Sequence, residues 1–166
     1  RQRQMCIRDR LQGILSGGRT GLLYKELVRD KKLALAAAAQ AAFPGVKYTS
    51  LFAFFVAPSL DRTTEENEKA IYEILEKLKQ EKVEAATLDR VKTKVRASVV
   101  RALDSNAGMA MRLTYYHVSY GNWRKLFTGL DEINKVTAED VQRVARQYFV
   151  ESGRTVAYSV KSAAAK

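Results

Sequence analysis

The order of elements predicts an α+β fold: an antiparallel sheet covered by helices on one face. Three observations predict it. An aromatic-rich run from Tyr48 to Ala57, closed by Pro58, reads as a strong strand. An alanine run at 34–43 lies just before it, across Pro44-Gly45, and is its nearest antiparallel partner. Segments of helical period, each opened by capping residues, fill the stretch that follows, and alternation returns only at 154–160. Helices laid on one side of a small sheet are the architecture that such an order makes.

Residues 1–10 contribute no element to this reading. Met5-Cys6-Ile7-Arg8-Asp9 resembles the translation of a sequencing adapter, and the segment shows neither a period nor a cap. It is set aside as an artefact or a disordered arm with no apolar face to bury. The domain proper is read as 11–161, truncated at its N-terminus, and 162–166 as a frayed tail. Ile14-Leu15 then reads as the end of a strand running into the glycine turn Ser16-Gly17-Gly18. That turn opens a helix over 18–32, with Leu23 and Leu27 at i,i+4 and Tyr24 and Leu27 at i,i+3. Strands at 34–43 and 49–57 pair next.

Thr63-Thr64-Glu65-Glu66 is a capping box, a hydroxyl followed three residues later by a carboxylate. The helix behind it carries Ile71, Ile74, Leu75 and Leu78 on one face. Thr87 is read as the cap of the next helix, which turns Leu88, Val91, Val95 and Val99 to one side. Ser105-Asn106-Ala107-Gly108 weakens that helix, because glycine and two local hydrogen-bonding side chains compete with it. The continuation carries Met109, Leu113, Tyr116 and Tyr120 and ends at Gly121. Trp123, Leu126, Leu130 and Ile133 mark a short helix. Thr137 caps a last one, with Val141, Val144, Ala145 and Tyr148 inward. Residues 154–160 alternate as a closing strand would.

The net charge is +11; residues 1–10 hold four arginines against one aspartate, so +3 belongs to them and +8 to the rest. Most of the charge is interleaved, as in Glu76-Lys77-Leu78-Lys79-Gln80-Glu81-Lys82, the pattern of a solvated helix face. Arg90, Lys92, Lys94 and Arg96 lie two apart and so wrap around a helix, with Arg101 beyond them. A nucleic-acid role rests on charge alone and is not the expected one. The lone cysteine, Cys6, falls in the segment set aside, which leaves no disulfide or cysteine metal site. No apolar run is long enough to span a membrane as a helix.

The chain shows no self-sufficient active site. His117 is the only histidine, whereas a zinc peptidase site needs two imidazoles and a further ligand. Ser105, Ser119 and Ser152 stand in no nucleophile elbow. Glu65/Glu66 and Asp89/Asp104 sit on caps and helices. Gly17-Gly18 before a helix has the form of an anion-binding turn, but neither the P-loop nor the dinucleotide pattern is present. An ordinary helix-start turn explains the same glycines.

Five segments taken in order carry a resemblance. They are Ile14-Leu15-Ser16-Gly17-Gly18-Arg19 leading to Leu22–Leu27, Thr64-Glu65-Glu66, Leu103–Ala110, Gly121-Asn122-Trp123-Arg124, and Val136–Ala145. Together they resemble the C-terminal, non-metal-binding domain of the insulinase/pitrilysin family of zinc peptidases, which includes the processing peptidases. The resemblance implies a partial domain of a two-domain metallopeptidase. No cofactor is then held in this chain; zinc sits in the missing catalytic domain that bears H-x-x-E-H, in the same or a partner chain. It also implies a chamber-wall role, with Gly17, Gly18 and Arg19 touching an extended peptide substrate. The other role it allows is a catalytically inactive structural or assembly subunit of the same fold. It favours a periplasmic or secreted setting, with no nucleic-acid partner. Two positions depart from the family's pattern: where an arginine and a tyrosine contact substrate, this chain has Val28 and Leu35, with Arg29 one place off.

Overall fold

The computed structural model describes residues 2–46 and 48–159. Its helices are α1 (Gln2–Ser16), α2 (Thr64–Gln80), α3 (Ala85–Ala102), α4 (Asn106–Tyr120), α5 (Lys125–Asn134) and α6 (Ala138–Tyr148). Between α1 and the sheet lie a 3₁₀ turn, Gly18–Thr20, and a π-helix, Tyr24–Asp30. Strands β1 (Ala34–Phe43) and β2 (Leu51–Pro58) form a two-stranded antiparallel sheet.

The strand pair is the one the sequence predicts. Ala38 lies opposite Phe55, Gln40 opposite Ala53 and Phe43 opposite Leu51. Alanine occupies β1 because α1 lies against it. Ala34, Ala39 and Ala41 are buried, and the Ala41 amide donates to Gln12 Oε1 on α1 at 2.9 Å. Larger side chains would hold the helix off. Phe52 and Phe54 share one face of β2, and Phe149, just past α6, closes on both rings at 5.2 and 5.9 Å. Edge-to-face packing of this kind adds to the area term. On the other face, Leu51 and Phe55 remain exposed. The sheet is therefore covered on one side, as predicted.

The first ten residues depart from the reading above. Residues 2–10 belong to α1, and Ile7 is fully buried beside Leu11, Ile14 and Leu15 in the main core. These positions follow the i, i+4, i+7, i+8 stripe of an amphipathic helix. Cutting the sequence after residue 10 hides that stripe. The same helix replaces the strand end read at Ile14-Leu15. The core is completed by Leu23 and Leu27, by Ile74, Leu75 and Leu78 of α2, and by Val141, Val144 and Ala145 of α6.

Three further boundaries differ. Glu84, not Thr87, precedes α3; Thr87 lies inside the first turn, where its hydroxyl accepts from Arg90. Tyr148 is 38% exposed, and Phe149 takes the inward role. Residues 154–159 are extended but pair with no strand among the described residues. They lie along α2 instead. Arg154 stacks 4.3 Å over the Tyr72 ring, and the Tyr158 hydroxyl donates to Glu68, which also accepts from Tyr72. Burial and this carboxylate push the Tyr72 phenol up to about 12. Val160, the side chain of Leu130 and the tail 162–166 lie outside the described residues.

Both capping boxes form. Thr63 Oγ1 accepts from Glu66 N at 3.1 Å, and Glu66 accepts from Thr63 N at 2.9 Å; Thr137 and Asp140 repeat the pattern. Ser105 Oγ accepts from Gly108 N and starts α4, so the predicted break is real. Gly121, at φ 72°, ends that helix. Buried Asn67 donates to Leu33 O and Thr63 O, fixing the start of α2 against the chain entering β1. Thr63→Ala is expected to cost about 1 kcal/mol, seen as a lower urea midpoint at unchanged slope; no shift would show that the box contributes nothing.

Candidate functional site

The glycine turn between α1 and the π-helix is held by an unusual set of contacts. Gly17 lies where a Cβ would overlap the Gly13 carbonyl oxygen of the preceding helical turn. Gly18 has φ 69°, a left-handed conformation that glycine adopts without steric cost. The Gly21 amide donates to Gly18 O at 3.0 Å. The Gly17 carbonyl accepts from Thr20 Oγ1 at 3.1 Å and from Lys94 Nζ at 2.9 Å. Lys94 reaches over from α3, so one member of the basic cluster serves as a clamp on the turn. Lys92 is also occupied, donating to Asn134 O at 3.0 Å.

Gly17, Gly18 and Arg19 are therefore brought together as one compact turn. Arg19 is exposed, so its guanidinium is open to solvent on a backbone that is fixed on both sides. The segment that follows is a π-helix, closed by an i→i+5 bond from Lys31 N to Glu26 O at 2.9 Å. Such wide turns are rare and recur at functional sites. Nothing in the sequence signals one here.

The positions that depart from the family pattern are also placed. Leu35 is 68% exposed on β1, and Val28 is half-buried. Arg29 is engaged by its neighbour: Nε lies 2.6 Å from Asp30 Oδ1, and Nη2 donates to Oδ2 at 2.9 Å. The bidentate pair holds the Asp30 carboxyl below its ordinary range. His117, the chain's single histidine, is exposed on α4, and the described residues contain no group of three His, Cys, Asp or Glu able to hold a metal ion. No helix among the described residues is long and apolar enough to cross a membrane.

A two-stranded antiparallel sheet covered by helices on one face, with a glycine turn clamped at its edge, defines an α+β domain. The chain belongs to the Peptidase M16 inactive domain family, which it matches over residues 9–95. That bears out the resemblance drawn from the five segments. The zinc protease PqqE of Helicobacter pylori is 27% identical over 154 residues, covering 90% of this chain and 33% of that protein. A protease from Helicobacter pylori of known structure superposes with a TM-score of 0.82 at 26% identity, over 90% of this chain and 36% of that one. An inactive peptidase domain from Bordetella parapertussis shares the fold, with a TM-score of 0.77 at 23% identity, over 92% of this chain and 81% of that one. The chain spans about a third of the length of the curated relative it matches.

Proposed function

We propose that this domain is the noncatalytic half of a zinc-dependent endopeptidase, walling its chamber and helping to hold an extended peptide. The observation that carries the reading is the glycine turn. Its backbone is fixed by Lys94 and Thr20 while Arg19 stays free to meet a carbonyl or carboxylate. Fixed backbone with one adaptable cation suits a peptide of variable sequence, because it reads main chain more than side chains. Zinc and the water-activating glutamate belong, in this reading, to an H-x-x-E-H domain in the same or a partner chain.

By itself the chain is expected to bind no stoichiometric zinc and to cleave no peptide, since one histidine cannot supply a zinc site. Metal analysis after dialysis and a quenched-peptide assay check this; one tightly held zinc per chain would overturn it. With the catalytic domain present, Arg19→Ala is expected to raise KM several-fold at constant kcat, the signature of lost uniform binding. An unchanged KM would remove Arg19 from the substrate. An upstream domain lacking H-x-x-E-H would move the reading to an inactive assembly subunit.

A further inference from the structure

We propose that the glycine turn selects a carboxylate: the peptide it holds presents an Asp or Glu side chain, or a free C-terminus, where it meets Arg19 and Lys94. This rests on the peptide-holding reading above and adds to it the chemical class of the substrate.

Two cations share this turn, and the geometry fixes the place of the second. Arg19 is part of the turn. Lys94 arrives from α3 with Nζ 2.9 Å from Gly17 O. The same ammonium stands 3.6 Å from where a Cβ on Gly18 would lie. Its charge therefore rests against the residue that directly precedes Arg19. Glycine at that position leaves the ammonium uncovered, and Lys94 and Arg19 are both exposed.

Neither charge is balanced. Among the described residues no carboxylate forms an ion pair with Arg19 or Lys94. Asp30, on the π-helix that follows, is taken by Arg29. Other exposed lysines do reach carboxylates across elements, as in Lys31–Glu73 and Lys82–Glu139. Lys94 instead reaches a carbonyl, which uses one of its three donors and leaves its unit charge unanswered.

That arrangement selects the ligand group. Like charges on one turn repel, and an anion set between them relieves the repulsion. A peptide carbonyl offers a hydrogen bond but no charge, and bonds between charged partners are about twice as strong as neutral ones. Lys94 is already oriented by Gly17 O, so it has little freedom left to lose when a ligand arrives. The Arg19 guanidinium adds a planar fork that matches the two oxygens of a carboxylate. A lysine at the same place in the peptide would meet two charges of its own sign.

The test is fluorescence anisotropy on the full chain with short extended peptides bearing an uncharged dye. Four peptides differ at one place: a central Glu, Gln or Lys with the C-terminus amidated, and the Gln peptide with its C-terminus free. Salt is held at 0.15 M, where the Debye length is about 8 Å, so that distant charge is screened. A peptide bearing a carboxylate is expected to bind about tenfold more tightly than the neutral Gln amide. Whether the Glu side chain or the free C-terminus confers the gain identifies its source. Arg19→Gln and Lys94→Gln should each remove most of the preference, and Arg19→Glu should abolish it. Arg112→Gln, an exposed cation on α4, changes the net charge equally and should leave the preference intact. Circular dichroism verifies the fold of each variant; Arg19 bonds to no other side chain among the described residues, so its variants test charge alone. Equal affinity for all four peptides, weakened throughout by Arg19→Gln, would overturn the carboxylate proposal and leave the peptide-holding reading standing. A preference that survives both turn variants, or falls equally with Arg112→Gln, would reduce it to the bulk charge of the chain and overturn it as well. Binding of no peptide, or binding indifferent to Arg19, would remove the peptide-holding reading and this proposal together.

Discussion

Ile7→Ala is expected to lower stability by about 2–5 kcal/mol, as for a large-to-small change in a closed core. For a chain of this size that is a fall of roughly 4–20 °C in Tm. Ile7 is fully buried, and Leu11, Ile14 and Leu15 continue its row into the centre of the molecule. Removing three carbons there loses transfer energy and leaves a cavity that the neighbours fill only partly. Deleting residues 1–10 should cost at least as much, because it also removes the first turns of α1 and the buried Arg10. The sequence alone suggests the opposite result. If the trimmed chain and Ile7→Ala both melt with the full chain, the segment is an appendage and its packing contributes nothing. Thermal unfolding of the three chains under one buffer decides between these.

Why α1 is illegible shows what local reading misses. Its first ten residues are rich in arginine and lack a capping side chain, so composition argues for an arm. The apolar row becomes visible only when residues 7–15 are read as one unit. Where local chemistry specifies an element by itself, it was readable. The hydroxyl–carboxylate boxes at Thr63 and Thr137, the Ser105 break and the glycine stop at 121 all form as written. The strand pair was readable because proline, glycine and aromatic residues mark it within one short stretch.

What fails depends on distant partners. Alternation at 154–160 specifies a strand only where a neighbouring strand exists to pair with. Here Arg154 and Tyr158 find Tyr72 and Glu68 on α2. The site shows the same division. Gly17, Gly18 and Arg19 are visible as a turn, because glycine before a helix is a local signal. The clamp that fixes them is not, since Lys94 lies 77 residues away and looks in sequence like one more cation in a basic helix.

Gly17→Ala is expected to damage that turn severely, at about 3 kcal/mol, near the upper end for overpacking. That is a fall of roughly 6–12 °C in Tm. The added methyl would meet the Gly13 carbonyl oxygen, which is backbone inside α1 and cannot swing away as a side chain would. Gly18→Ala separates this clash from conformational strain. At Gly18 the methyl meets only the mobile end of Lys94, 3.6 Å away, so the cost is that of a positive φ, about 1–2 kcal/mol. Lys94→Ala removes one of the two donors to Gly17 O and should cost less again. The expected order of damage is thus Gly17→Ala, then Gly18→Ala, then Lys94→Ala. A Gly18 variant less stable than the Gly17 variant would mean that backbone conformation, not close approach to α1, sets the shape of the turn. If Gly17→Ala instead folds normally, α1 and the π-helix can separate at little cost. Arg19 would then sit on a hinge rather than on a fixed support, and the peptide-holding reading would lose its basis.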